Sequence, residues 1–89
     1  MPNLRRIVLD VLKPNEPSII EMASLLEELP GVHGVDITVK EVDRRVEKIK
    51  ITLIGEKLDY HKVKNVVEKS GGSIHSVDRA SAGRKPVAF

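Results

Sequence analysis

The sequence predicts one α+β domain in which a strand–helix–strand plan runs twice, giving the order βαββαβ. Three observations predict it. Apolar residues alternate with polar ones along separate short stretches, the period of a half-buried strand. Between them lie segments whose apolar residues recur at threes and fours, the period of an amphipathic helix. Pro and Gly clusters punctuate the joins, and the second half repeats the element order of the first.

The first strand is read over residues 4–13, where Ile7, Leu9 and Val11 alternate with Arg6, Val8, Asp10 and Leu12. Both of its faces are fairly apolar, which predicts a central strand. Lys13-Pro14-Asn15-Glu16-Pro17 ends it, because Pro cannot donate to a ladder, and Pro17 suits the first turn of a helix. The first helix runs from Pro17 to Leu29. Ile19, Ala23, Leu26 and Leu29 form one stripe, which Ile20, Met22 and Leu25 widen. Pro30-Gly31 stops it. The second strand spans Val35 to Val42 and the third Val46 to Ile54, joined at Asp43-Arg44-Arg45. Parity constrains that turn. A bare two-residue loop would set Val39 opposite Lys50 rather than Ile49, so the hairpin needs a three-residue loop or a bulge. Asp59 caps the second helix, with Leu58 before it as a staple to Val63. Val63, Val66 and Val67 face the core, and Ser70-Gly71-Gly72 ends the helix. The fourth strand covers Ser73 to Ala82, with Val77 as its best core residue, and a basic then apolar tail runs from Gly83 to Phe89.

Right-handed crossovers place the second strand parallel to the first with the third between them. The sheet is then antiparallel in order 4-1-3-2 with both helices on one face, a ferredoxin-like sandwich spanning residues 1–89 as a single domain. The other face is left open, and function is expected there.

Composition narrows the classes. A chain of 89 residues buries a modest core, so self-association would add welcome burial. With 40% hydrophobic and 31% charged residues the chain is globular rather than disordered. A net charge of +2 is too weak to argue for nucleic acid or membrane. No signal peptide or long apolar run is read, so a cytoplasmic setting is expected. The absence of Cys removes disulfides, thiolate metal sites and thiol catalysis. No Gln, three Asn and abundant Lys, Arg and Glu point to heat adaptation.

The open face of the first and third strands is expected to carry Arg6, Val8, Asp10, Leu12, Lys48, Lys50, Thr52 and Ile54, with Ser76, Asp78 and Ala80 on the fourth. If the ends of the first and fourth strands align, Asp10 and Asp78 fall nearly opposite each other. Opposed like charges are unfavourable. A hard divalent cation resolves the conflict. So does a shared proton, and so does a lysine, Lys48 or Lys50, on the neighbouring strand. His75 lies on the other face by parity and reads as a buried structural residue. His33 and His61 are too far away for a zinc triad. Arg5, Arg6, Arg84 and Lys85 meet where the first and fourth strands pair, a weak anion patch. RNA binding through stacked bases needs aromatics on the central strands, and there are none. The apolar residues Val8, Leu12, Val42, Val46 and Ile54, with the tail Pro86-Val87-Ala88-Phe89, argue for a homo-oligomer.

The runs Arg5-Arg6-Ile7-Val8-Leu9-Asp10-Val11-Leu12-Lys13-Pro14, Glu16-Pro17-Ser18-Ile19-Ile20-Glu21, Gly31-Val32-His33-Gly34-Val35 and Gly71-Gly72-Ser73-Ile74-His75-Ser76-Val77-Asp78 resemble the archaeal "domain of unknown function 211" family over nearly the whole chain. The resemblance implies a small archaeal cytoplasmic protein of ferredoxin-like fold with no established activity, assembled as a ring or other oligomer and holding divalent metal. The Leu29-Pro30-Gly31-Val32 turn is also similar to those of metallochaperone and ACT domains; the missing Cys pair removes soft-metal chemistry.

These readings converge on a non-enzymatic, homo-oligomeric module binding calcium or magnesium through Asp10 and Asp78. The alternative is an ACT-like regulatory domain holding a small molecule between subunits near Gly31, Val32, His33 and Gly34. Enzyme chemistry is not expected. No nucleophile lies beside a base, and the loop Lys13-Pro14-Asn15-Glu16 lacks the Arg of a phosphatase phosphate loop.

Overall fold

The structure, a computed structural model, describes residues 3–87. Its elements are β1 (Leu4–Pro14), α1 (Ile19–Glu27), β2 (Val32–Val42), β3 (Val46–Gly55), α2 (Tyr60–Lys69) and β4 (Ser73–Ala82). The strands form one antiparallel sheet in the order β2-β3-β1-β4, the predicted ferredoxin-like arrangement.

The two central strands hold the core. Ile7, Leu9 and Val11 on β1 pair with Leu53, Ile51 and Ile49 on β3, and all six are buried. Met22 and Leu26 of α1, Leu58, and Val63 and Val67 of α2 close over them. Burying each such side chain stabilises the fold by about 1.5–3 kcal/mol. Met22, not Ala23, is the centre of the α1 stripe, and Ile20 and Leu25 point to solvent.

The α1 start differs from expectation by two residues. Ser18 is the N-cap, its Oγ accepting from Glu21 N–H at 3.2 Å, and Ser18 Oγ–H lies 3.4 Å from Glu21 Oε1. Ser18 is thus a side-chain N-cap, and Pro17 precedes the helix rather than opening it. The helix ends at Glu27, and Leu29 closes a turn back onto the Leu26 carbonyl. Asp59 caps α2 as predicted, accepting from the N–H groups of His61 and Lys62.

β2 begins at Val32, earlier than its apolar pattern indicates, because Val32 already pairs with Gly55. Gly31 makes this join possible. Its φ is +83°, and a Cβ there would run into the Glu56 carbonyl oxygen. Glu56 N–H donates to the Gly31 carbonyl at 2.8 Å, tying the start of β2 to the end of β3. At the hairpin the parity conflict is resolved by a bulge. Val39 pairs with Ile49 as required, the register shifts at Lys40, and Glu41 pairs with Lys48.

One core residue carries a charge. Lys13 is 1% exposed, although its neighbours Pro14 and Asn15 read as loop. Its Nζ forms an ion pair with Glu47 Oε1 at 2.9 Å and donates to the carbonyls of Pro14 at 2.8 Å and Asn15 at 3.4 Å. An ammonium carries three donors and here has three acceptors, which is why it is tolerated inside. No helix among the described residues is long and apolar enough to cross a membrane.

Candidate functional site

The uncovered face of the sheet carries most of the residues singled out in the sequence. Across its middle the register aligns Asp36, Thr52, Val8 and Arg79, and then Thr38, Lys50, Asp10 and Ser76, from β2 to β4. A shallow hollow of about 440 Å³ lies over these rows. All four strands contribute to it: Arg6 and Val8 from β1, Lys40 from β2, Lys50, Thr52 and Ile54 from β3, Asp78 and Arg79 from β4. Val8 forms its floor and is only 6% exposed, although no helix covers this face. Its cover therefore comes from long neighbouring side chains lying across the sheet.

The sequence-predicted carboxylate pair is not opposed. Asp10 pairs with Ser76, so the assumption of aligned strand ends fails. The reason is a set of register shifts between β1 and β4. Asp78 is the extra residue between Arg79, which pairs with Val8, and Val77, which pairs with Leu9. His75 is the extra residue between Ser76 and Ile74. Asp78 still reaches the open face, where it lines the hollow and accepts from Ser76 Oγ–H at 2.6 Å. Asp10 lies beside Lys50 by register, the lysine neighbour considered above.

The same shifts change three further expectations. Ala80 pairs with Ile7 and so joins the helix side, while Arg79 takes the open-face position. Ile74 pairs with Val11 and packs against the core, whereas Val77 is 50% exposed at the outer edge of the sheet. His75, expected to be buried, is exposed. Among the described residues no group of three or more His, Asp or Glu side chains gathers within reach of one metal ion.

The basic patch divides between two places. Arg5 is the extra residue in a shift on β1 and turns toward the tail. Its Nε donates to the Gly83 carbonyl at 2.8 Å, its Nη2 to the Arg84 carbonyl, and Glu56 lies 3.7 Å away. Arg5 is therefore a clamp on the chain's own backbone. Arg84 meets it through its backbone carbonyl, and the side chains of Arg84 and Lys85 are exposed. Arg6 lies on the open face, in the hollow. Tail residues Ala88 and Phe89 lie outside the described residues.

The Gly31–Gly34 segment forms the first residues of edge strand β2. Gly31 is committed to backbone packing against Glu56, while a Cβ at Gly34 would meet open space. Val32 is half-buried against the core and His33 is exposed, beside Pro30, Glu56 and Lys57 at a shallow depression.

The hollow's cations Lys40 and Arg79 were not expected together, yet a signal existed. Val39-Lys40-Glu41-Val42 and Val77-Asp78-Arg79-Ala80 each place two polar residues between apolar ones, which breaks strict alternation. Each break coincides with a bulge.

The chain is 47% identical over 85 residues to an uncharacterized protein of Methanocaldococcus jannaschii, MJ0319, an alignment covering 96% of this chain and 88% of that protein. The model of the DUF211 family, described as uncharacterized ArCR, matches residues 5–88. A match over nearly the full length, together with the archaeal relative, places the chain in the archaeal DUF211 family.

Proposed function

We propose that this protein is a non-enzymatic module that assembles with copies of itself and offers the open sheet face to a ligand. The observation that carries this reading is the hollow to which every strand contributes, on a face that no other layer covers. Ligand sites are concave and combine an apolar floor with a few convergent polar groups. Val8 supplies the floor here, and the charged groups surround it.

Assembly is supported by β2. This edge strand has 11 residues and none is buried. Val35, Ile37 and Val39 are only partly covered by α1, whose own Ile20 and Leu25 are exposed. A straight, half-covered edge is a template for another chain. Native mass spectrometry at micromolar protein tests this: a discrete oligomer is expected, and a monomer at every concentration overturns it.

Calcium or magnesium remains a candidate ligand in one form. Asp10 and Asp78 are staggered, so a hard cation would need oxygen donors from a second copy as well. Adding and removing chelator in the same native spectra reads this directly. The ACT-like reading is favoured by one observation, that Gly31–Gly34 opens the free edge on which a second copy would pair. A thermal-shift screen of amino acids and nucleotides tests it, because a ligand raises Tm by mass action. A cytoplasmic, heat-adapted setting belongs to the same proposal and is supported by the Cys- and Gln-free composition.

A further inference from the structure

We propose that the open-face hollow is a binding site for a phosphate dianion, free or carried on a small organic molecule. The inference rests on the reading of the open face as the ligand surface and adds the ligand's chemistry.

The charge balance comes first. Among the described residues, Arg6, Lys40, Lys50 and Arg79 line the hollow with Asp78 as the one carboxylate, a surplus of three positive charges. The chain as a whole carries only +2, so the surplus is local. Carboxylates are near, since Asp10 pairs with Lys50 and Asp36 with Thr52, but neither lines the hollow. A concave surface of one sign concentrates ions of the other.

The second observation is how the cations arrive. Lys40 is the extra residue in the shift on β2, and Asp78 with Arg79 flanks the shift on β4. Bulges re-aim side chains. Those on opposite edges of the sheet direct Lys40 and Arg79 over the same central rows, where Arg6 and Lys50 already lie. Arg6, Thr52 and Arg79 are half-buried on a face with no covering layer, so these donors lie along the hollow rather than out in water. Arg6 and Arg79 each also take part in an interaction within the protein.

The ligand class follows from these groups. Guanidinium forks match phosphate oxygens, with lysines as point charges and a threonine hydroxyl as a further donor. A volume of about 440 Å³ exceeds what bare phosphate needs, and Val8 and Ile54 give the remainder an apolar surface. Among the described residues that line the hollow none is aromatic, and none of them offers a ring for stacking on a nucleobase.

Isothermal titration calorimetry on the assembled protein, at fixed ionic strength, tests this with inorganic phosphate and with glycerol 3-phosphate. Saturable binding at one per chain is expected. Tighter binding of the glycerol ester identifies a carried phosphate, and equal binding a free one; both support the site. Lys50→Gln and Arg79→Gln should each weaken binding about tenfold. Asp78→Asn should tighten it several-fold, because it removes the opposing charge. Lys50 is exposed, so its variant keeps the test valid if Arg79→Gln fails to fold. Absence of saturable heat from both probes overturns the inference, as does binding indifferent to Lys50→Gln. Calcium binding that Asp78→Asn abolishes would also overturn it while leaving the open face as the ligand surface.

Discussion

The two edge strands of the sheet solve the same problem in opposite ways. β2 pairs with β3 without a shift from Gly34–Ile54 to Val39–Ile49, its two shifts, at His33 and Lys40, flanking that run. β4 pairs with β1 through three shifts, at Arg5, Asp78 and His75. A shifted, twisted edge discourages another strand from adding to it, whereas a straight one invites it. The difference extends to anchoring. β2 is fixed at both ends, by the Gly31–Glu56 hydrogen bond and by Glu47, which pairs with Val42 on one side and with buried Lys13 on the other. Along the β1–β4 pairing, Asp78 instead goes to the open face and Arg5 of β1 to the tail clamp. One edge is thus suited to assembly and the other to shaping a site.

The largest expected effect comes from loosening the hairpin end of β2. Glu47→Gln leaves the Lys13 ammonium buried without its carboxylate, and loss of one partner of a buried pair costs about 3–5 kcal/mol. Urea denaturation checks this, and a loss under about 1 kcal/mol would show that the Pro14 and Asn15 carbonyls suffice. At the other end, Gly31→Ala should cost at least about 2 kcal/mol, since it adds a left-handed φ penalty to a backbone clash. Its control is Gly34→Ala, which faces open space and should stay within about 0.5 kcal/mol. A matched pair tests the edges as interfaces. Ile37→Lys, mid-β2, should raise the oligomer's dissociation constant at least about tenfold, whereas Val77→Lys on exposed, bulged β4 should leave it unchanged. Sedimentation velocity reads both, and the reverse ranking would exchange the roles assigned to the edges. The smallest effect is expected from Asp10→Asn. Its cross-strand neighbour Lys50 is exposed, so the change should cost less than about 1 kcal/mol by denaturation.

Elements and topology were legible because they depend on period and punctuation. Ile7, Leu9, Val11, Ile49, Ile51 and Leu53 alternate cleanly and are all buried. Asp59 and the hairpin parity argument likewise needed only local rules. The site was harder to read because its residues break those rules. Arg5, His33, Lys40, His75 and Asp78 each occupy a register shift, where counting by twos no longer assigns a face. Asp78 reached the predicted face through a bulge, Arg79 displaced Ala80 from it, and Arg5 parted from Arg6. Lys13 followed the odd-numbered core parity of β1, but its charge argued for solvent, and only the pairing with Glu47 explains its burial. At the start of α1 the Ser18 side-chain hydrogen bond to the helix N-terminus sets the boundary, against the preference of Pro17 for a first helical turn.

We propose that the shift-free run of β2 and its half-covered apolar row make this chain a self-assembling module. Native mass spectrometry of the full chain beside Ile37→Lys tests it most directly. The prediction is a discrete oligomer of fixed subunit number that Ile37→Lys shifts to monomer while circular dichroism shows the fold retained. A wild-type monomer across micromolar concentrations, or an oligomer indifferent to Ile37→Lys, would contradict it.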